Sequence, residues 1–231
     1  MDSPTPVAVV TGASGGMGGE IVRDLTRTHR VYALGRSAEA LDALAVDTGA
    51  EARRVDVTDR DAVTAFAAEP SRVDVLVHAA AVGDHISVED ATEDDWLRML
   101  TTNVVGPALL TRALLPMLRE AQATVVFVGS GAGTRPVPGS ALYSASKHAL
   151  RAVADVLRID EERHRVRVVT IAPGQTDTPM LRASVAPDAY APERYIRPES
   201  VAAAVRYVVD LPPDAHITDI ALRPRQEIAR L

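Results

Sequence analysis

Tyr143 and Lys147 stand four residues apart in the stretch YSASKHAL, and Lys147 is the only lysine among 25 Lys and Arg residues; the other 24 are arginine. On a helix that spacing puts both side chains on one face. A free phenol has a pKa near 10 and exchanges protons poorly at neutral pH. An ammonium about 4 Å away, at an effective dielectric near 20, favours the phenolate by roughly 4 kcal/mol, or about three pKa units before opposing effects. The spacing therefore predicts a tyrosine tuned for general acid–base work. A guanidinium is broader and planar, and does not replace a compact ammonium in such a site. In a chain that otherwise takes its positive charge from arginine, this lysine reads as chemical.

A second constellation is Thr11-Gly12-Ala13-Ser14-Gly15-Gly16-Met17-Gly18. It follows a short run of β-branched residues and opens an amphipathic stretch. Glycines allow a tight turn and close backbone approach, and free N–H groups at a helix start attract an anion. Strand, loop and helix in that order mark a dinucleotide-binding loop.

The elements needed to hold these residues are legible. Continuously apolar, β-branched runs at 7–11, 31–35, 52–57, 73–78, 124–129 and 166–172 read as strands buried on both faces. A last strand is expected near 217–222. Helical segments are expected at 16–28, 38–46, 59–68, 93–118, 141–162 and 198–210. Thr58 and Thr92 begin capping boxes, and Pro198 suits a first helical turn. The alternation predicts a doubly wound, Rossmann-type α/β fold: a parallel sheet of about seven strands with helices on both faces, in one domain over residues 1–231. The stretch 179–197 has weak periodicity and reads either as a substrate lid or as a long connection.

TGxxxGxG, with YxxxK further on, resembles the short-chain dehydrogenase/reductase family, and the resemblance runs from Val7 to about Leu222. It implies an oxidoreductase with a catalytic tetrad: Asn103 (helix), Ser130 (end of the fifth strand), Tyr143 and Lys147. Tyr143 would pass the proton, with Ser130 bonding the substrate oxygen. Lys147 would lower the tyrosine pKa and bond the nicotinamide ribose, and Asn103 would hold a water linking Lys147 to solvent. Without the resemblance, Ser130 is a turn serine and Asn103 a helix-kink residue. The cofactor would lie along Gly12, Ser14, Gly15, Gly16, Met17 and Gly18. Where NAD-using members carry an acidic residue, this chain has Gly35, followed by Arg36 and Ser37. A guanidinium fork suits a 2′-phosphate, so NADP(H) is favoured, with NAD(H) possible. Asp56 and Val57 resemble the adenine-binding pair, although a helix-capping Asp fits as well. The loop Pro173, Gly174, Thr176 and Thr178 would hold the nicotinamide. One departure stands out: the usual Asn-Ala-Gly triplet is Ala79-Ala80-Ala81, which removes an amide side chain and adds a methyl group near the expected ribose. His78 and His148 match no catalytic position and read as structural.

Net charge is −6 with arginines scattered, which argues against nucleic acid or an anionic membrane as partner. There is no cysteine, so disulfides and thiolate chemistry are excluded. The six histidines show no metal-ligand spacing, and no metal site is expected. The first residues lack a basic segment and a long apolar run, so a cytoplasmic protein is expected. Helices 93–118 and 141–162 are apolar on more than one face, which predicts a homodimer or homotetramer. The expected reaction is hydride exchange between NADP(H) and a carbonyl/alcohol pair. In the 179–197 stretch, Met180, Leu181, Tyr190 and Tyr195 would wall the substrate site, with Arg182, Arg194 and Arg197 nearby. Two other readings compete. One is a catalytically silent NAD(P)-binding sensor or scaffold; the other is a sugar epimerase or dehydratase, which usually carries a larger C-terminal domain than the residues after Gly174 allow.

Overall fold

A sheet buried on both faces must divide the side chains of each strand between two cores, and these strands do. In the computed structural model, which describes residues 5–226, Ala8 and Val10 of β1 (Val7–Thr11) belong to one core and Val7 and Val9 to the other. In β5 (Thr124–Val128), Val126 and Val128 join the first core, and Val125 and Phe127 the second. The first core is covered by α1 (Gly16–Leu25), α2 (Ala38–Thr48) and α8 (Pro198–Val209). The second is covered by α3 (Arg60–Ala67), α5 (Gly106–Ala121) and α6 (Ala141–Asp160).

The sheet has seven strands in the order β3-β2-β1-β4-β5-β6-β7 and every pairing is parallel. The remaining strands are β2 (Arg30–Gly35), β3 (Glu51–Arg54), β4 (Val75–His78), β6 (Arg167–Pro173) and β7 (Asp219–Leu222). Strand order reverses between β1 and β4, which opens a crevice at the carboxyl ends of the strands, where ligands bind in open α/β sheets. The expected fold class is the observed one. The single-domain span expected for 1–231 extends beyond the described residues at both ends.

Several boundaries differ from the sequence reading, each for a local reason. The strand expected over 52–57 ends at Arg54, because the Asp56 carboxylate accepts both the N–H and the hydroxyl of Thr58 and turns the chain. Asp59, rather than Thr58, then caps α3, accepting from the N–H groups of Asp61 and Ala62. At Thr92 the expected capping box with Asp95 forms and starts α4 (Glu93–Leu100). The helix expected over 93–118 is broken: residues Thr101–Val105 form one π-helical turn between α4 and α5. Such a turn inserts an extra residue and re-aims a side chain, often at a functional site. Here Asn103 lies in it.

Candidate active site

The four residues expected to act together converge at the carboxyl end of β5. Ser130 follows that strand and caps a short 3₁₀ turn, its hydroxyl accepting the Ala132 N–H at 3.1 Å. Tyr143 lies in the first turn of α6, and its ring lines the same cavity wall as Ser130. Lys147, one helical turn on, is buried, with Nζ donating to the Val128 carbonyl at 3.1 Å and lying 5.7 Å from the centroid of the Tyr143 ring. Asn103 is buried behind them. Its Oδ1 accepts the Val82 N–H at 2.8 Å, and its Nδ2 donates to the Val82 carbonyl at 2.9 Å and to Ser146 Oγ at 3.0 Å. The amide thus imitates a strand partner for the loop after β4.

The electrostatics correct one expectation. Burial pushes the Tyr143 phenol above its usual range, and the force opposing it is the Ser130 hydrogen bond rather than the Lys147 charge. Lys147 is itself pushed down to about 8 by burial. Both shifts share a cause: a low-dielectric pocket disfavours the charged form of each group.

Ser146 was not singled out in the sequence. It is fully buried, donates to the Tyr143 carbonyl at 2.8 Å and accepts from Asn103, which ties the π turn to α6. A serine three residues after the tyrosine was the available signal. His78 and His148, expected to be structural, each have a local partner. His78 stacks on Phe127 and pairs with Thr111 through Nε2 at 2.8 Å, and burial lowers its pKa to about 3, so the ring is neutral. His148 Nδ1 pairs with the Ser144 carbonyl at 2.8 Å.

The residues expected to hold a dinucleotide line the crevice beside this cluster. Gly12, Gly15 and Gly16 have positive φ, and Gly16, Met17 and Gly18 form the first turn of α1. A Cβ on Gly18 would sit 2.2 Å from the Gly12 carbonyl oxygen, so the loop closes on its helix only with glycine there. At Gly35 a Cβ would lie 2.1 Å from Ser14 Oγ, a buried hydroxyl with no partner among the described residues. Arg36 is exposed beside it with no hydrogen bond or ion pair among the described residues, and Ser37 caps α2, accepting the Ala40 N–H. An unpaired hydroxyl, a shelf without a side chain and an uncommitted guanidinium fit the ribose end of a nicotinamide dinucleotide.

Asp56 is engaged with Thr58, and Val57 is buried against Gly106. Ala79 and Ala80 donate their N–H groups to Thr11 Oγ1, each at 3.1 Å, so the loop stays pinned to β1 without an asparagine side chain; Ala81 follows it. Pro173 ends β6, Gly174 donates to the Leu222 carbonyl at 2.8 Å, and Thr176 bonds the Gly174 carbonyl at 3.1 Å. Thr178 caps α7 (Pro179–Ser184), its methyl group facing Gly16.

A cavity of about 1010 Å³ opens between these two groups, walled by Met17, Ser130, Tyr143, Pro173, Thr176 and Thr178 among others. From the 179–197 stretch, Met180, Leu181 and Ser184 reach the wall. Tyr190 and Tyr195 do not: they stack on each other at 5.7 Å, and the Tyr190 hydroxyl donates to Asp177 at 2.7 Å. Arg182 is paired with the same carboxylate, and Arg194 and Arg197 lie off the wall. Asp177, which the sequence reading passed over, organises that segment. No group of three or more metal-ligating side chains occurs among the described residues.

A fold, a glycine loop and a Ser-Tyr-Lys cluster of this geometry define a class, and comparison with known proteins agrees. The chain belongs to the short chain dehydrogenase family, whose model matches residues 6–189, and spans less than two thirds of the length of the first curated relatives it matches. It is 33% identical over 240 residues to the glycine betaine reductase of Emericella nidulans, covering 96% of this chain but 19% of that protein. It is 34% identical over 199 residues to dehydrogenase/reductase SDR family member 7B of Bos taurus, covering 79% of this chain and 61% of the bovine one. Among solved structures, the closed form of a serine dehydrogenase complexed with NADP+ superposes with a TM-score of 0.88 at 31% identity, covering 94% of each chain.

Proposed function

We propose that this chain is an NADP(H)-dependent oxidoreductase that interconverts a carbonyl compound and the corresponding secondary alcohol, with Tyr143 as general acid and base. The observation that carries this reading is that Ser130 and Tyr143 share the wall of one cavity, with the Lys147 ammonium 5.7 Å from the centroid of the tyrosine ring. NADP(H), lying along the glycine loop, Arg36 and the 173–178 segment, supplies or accepts the hydride. Ser130 and Tyr143 would both hydrogen-bond the substrate oxygen, and Tyr143 would deliver the proton in reduction or remove it in oxidation. Lys147, protonated below about pH 8, would favour negative charge on the phenol as it forms in the reaction, against the burial that raises the resting phenol. Asn103 holds the loop after β4 through the Val82 backbone. The NADP+ complex of the serine dehydrogenase supports the choice of cofactor.

The protein is read as one domain acting in the cytoplasm, without nucleic acid or membrane as partner. Among the described residues, no helix is long and apolar enough to cross a membrane. Self-association into a dimer or tetramer through α5 and α6 is part of the proposal.

Loss of NADPH absorbance with a panel of ketones tests the reading. Wild-type protein should turn over at least one of them, and Tyr143→Phe should lose about 10²-fold or more in rate. Binding of NADPH with no turnover of any carbonyl compound would favour the silent sensor, the reading suggested by Ala79-Ala80-Ala81.

A further inference from the structure

The cavity beside Tyr143 carries one charged group that neither catalysis nor the fold uses. Of the ionisable side chains on its wall outside the catalytic cluster, Asp84 is paired with Arg98 of α4, and His85 is hydrogen-bonded to Ser140 at 2.6 Å. Arg223 donates to the carbonyls of Ala172 and Leu222, each at 2.9 Å. Arg135 differs. Its side chain has no hydrogen bond, carboxylate or ring contact among the described residues, yet the residue lines the cavity.

Its backbone is nevertheless held in place. The Arg135 N–H donates to the Gly131 carbonyl at 3.1 Å, just past Ser130. Two residues on, the Val137 N–H donates to Ser144 Oγ at 3.2 Å, next to Tyr143 on α6. Pro136 and Pro138 restrict the intervening dihedrals. The guanidinium is therefore rooted on a stiff segment tied at both ends to Gly131 and Ser144, the chain neighbours of Ser130 and Tyr143. Its fork of N–H donors matches an oxyanion, and a fixed root lowers the ordering cost of binding one.

We infer that the substrate bears an oxyanion, a carboxylate or a phosphate, elsewhere in the molecule than its reacting carbonyl, and that Arg135 binds it. This rests on the carbonyl/alcohol reading of the same site. The substrate class is then anionic oxo and hydroxy compounds, and Arg135 is a specificity-determining residue.

The test compares kcat/KM with NADPH for acetoacetate and levulinate against their ethyl esters, and for dihydroxyacetone phosphate against dihydroxyacetone. At least one anion should exceed its neutral partner by about tenfold or more, the worth of one charge-assisted hydrogen bond, with the gain in KM. Arg135→Ala should close most of that gap, and Arg135→Lys should keep part of it. Preference for the oxo acids identifies the anion as carboxylate, and preference for the phosphorylated ketone identifies it as phosphate. The inference is overturned if each neutral partner is turned over as well as its anion, or if Arg135→Ala leaves the gap intact. Failure of the underlying reading looks different: neither charged nor neutral carbonyl compounds would be reduced, and the inference would fall with it.

Discussion

The Lys147 ammonium lies 5.7 Å from the centroid of the Tyr143 ring, and its hydrogen bond goes to the backbone carbonyl of Val128. Lys147 is buried and Tyr143 half-buried on the cavity wall, and desolvation there raises the phenol and lowers the amine to about 8. Lys147 keeps its proton below that value and loses it above, so stabilisation of a phenolate fades as pH rises through about 8. The rate of alcohol oxidation should therefore bend near pH 8, with the apparent pKa belonging to the Tyr–Lys pair rather than to either residue. Lys147→Arg retains a charge that does not titrate, so the bend should vanish, with a loss of about 10²-fold in rate from the broader group. Near-normal turnover with an unchanged pH profile would mean that the lysine has no chemical role.

Cofactor choice should depend on Arg36. Removing its guanidinium in Arg36→Ala should weaken NADPH by about 1.5–3 kcal/mol and leave NADH nearly unaffected, because only the former carries the extra phosphate. Fluorescence titration of both cofactors checks this, and equal affinities in the unmodified protein would refute it. Gly35→Asp is a sharper probe. Its Cβ would press on Ser14 Oγ, so it should weaken NADPH without restoring tight NADH binding.

Glu161 and Arg119 clamp the far ends of α6 and α5 through two hydrogen bonds of 2.8 and 2.7 Å. The Arg119 hydrogen bonds hold the buried Glu161 carboxyl below its usual range. A folded pKa below the unfolded value of about 4.3 makes this contribution fully present above that pH, and it is lost as pH falls through the folded value. Glu161→Gln should cost about 1–2 kcal/mol at neutral pH, reduced by the partial exposure of Arg119. At pH 7 the melting temperature should fall by roughly 2–8 °C, and in strong acid the two proteins should converge. Equal differences at both pH values would show that the pair does not titrate with folding.

The proposed self-association would use α6. Val156 is 56% exposed and Ile159 72% exposed. Beside them, Ala108, Leu115, Val153 and Leu157 line a groove of about 510 Å³ between α5 and α6. A second copy packing the same helices would cover this face, as isologous interfaces do. Light scattering at micromolar concentration should give a dimer or tetramer, and Val156→Glu should shift it toward the 24.6 kDa monomer. A wild-type monomer would refute the assignment.

Much was legible in the sequence because its causes are local. Continuous β-branched runs announced a parallel sheet, the glycines of the first loop announced a strand-to-helix turn, and Tyr143 with Lys147 announced a shared helix face. Thr92 announced its own helix start, since Asp95 completes the capping box within one turn. Thr58 misled because Asp56, just upstream, competed for its hydroxyl.

What only the tertiary structure decided depends on partners distant in sequence. The π turn at Thr101–Val105 exists where the Asn103 amide meets the Val82 backbone and Ser146, and no helical periodicity foretells that meeting. The direction of the Tyr143 shift followed from burial by surrounding elements, not from the lysine charge expected from spacing alone. Arg182, which the sequence placed near the substrate site, pairs with Asp177, while Arg135, not singled out in the sequence, lines the cavity. Residue type and spacing determine which chemistry a chain can attempt. Desolvation and the choice of charge partner arise only when separate elements pack together, and they decide which of those groups is free to act.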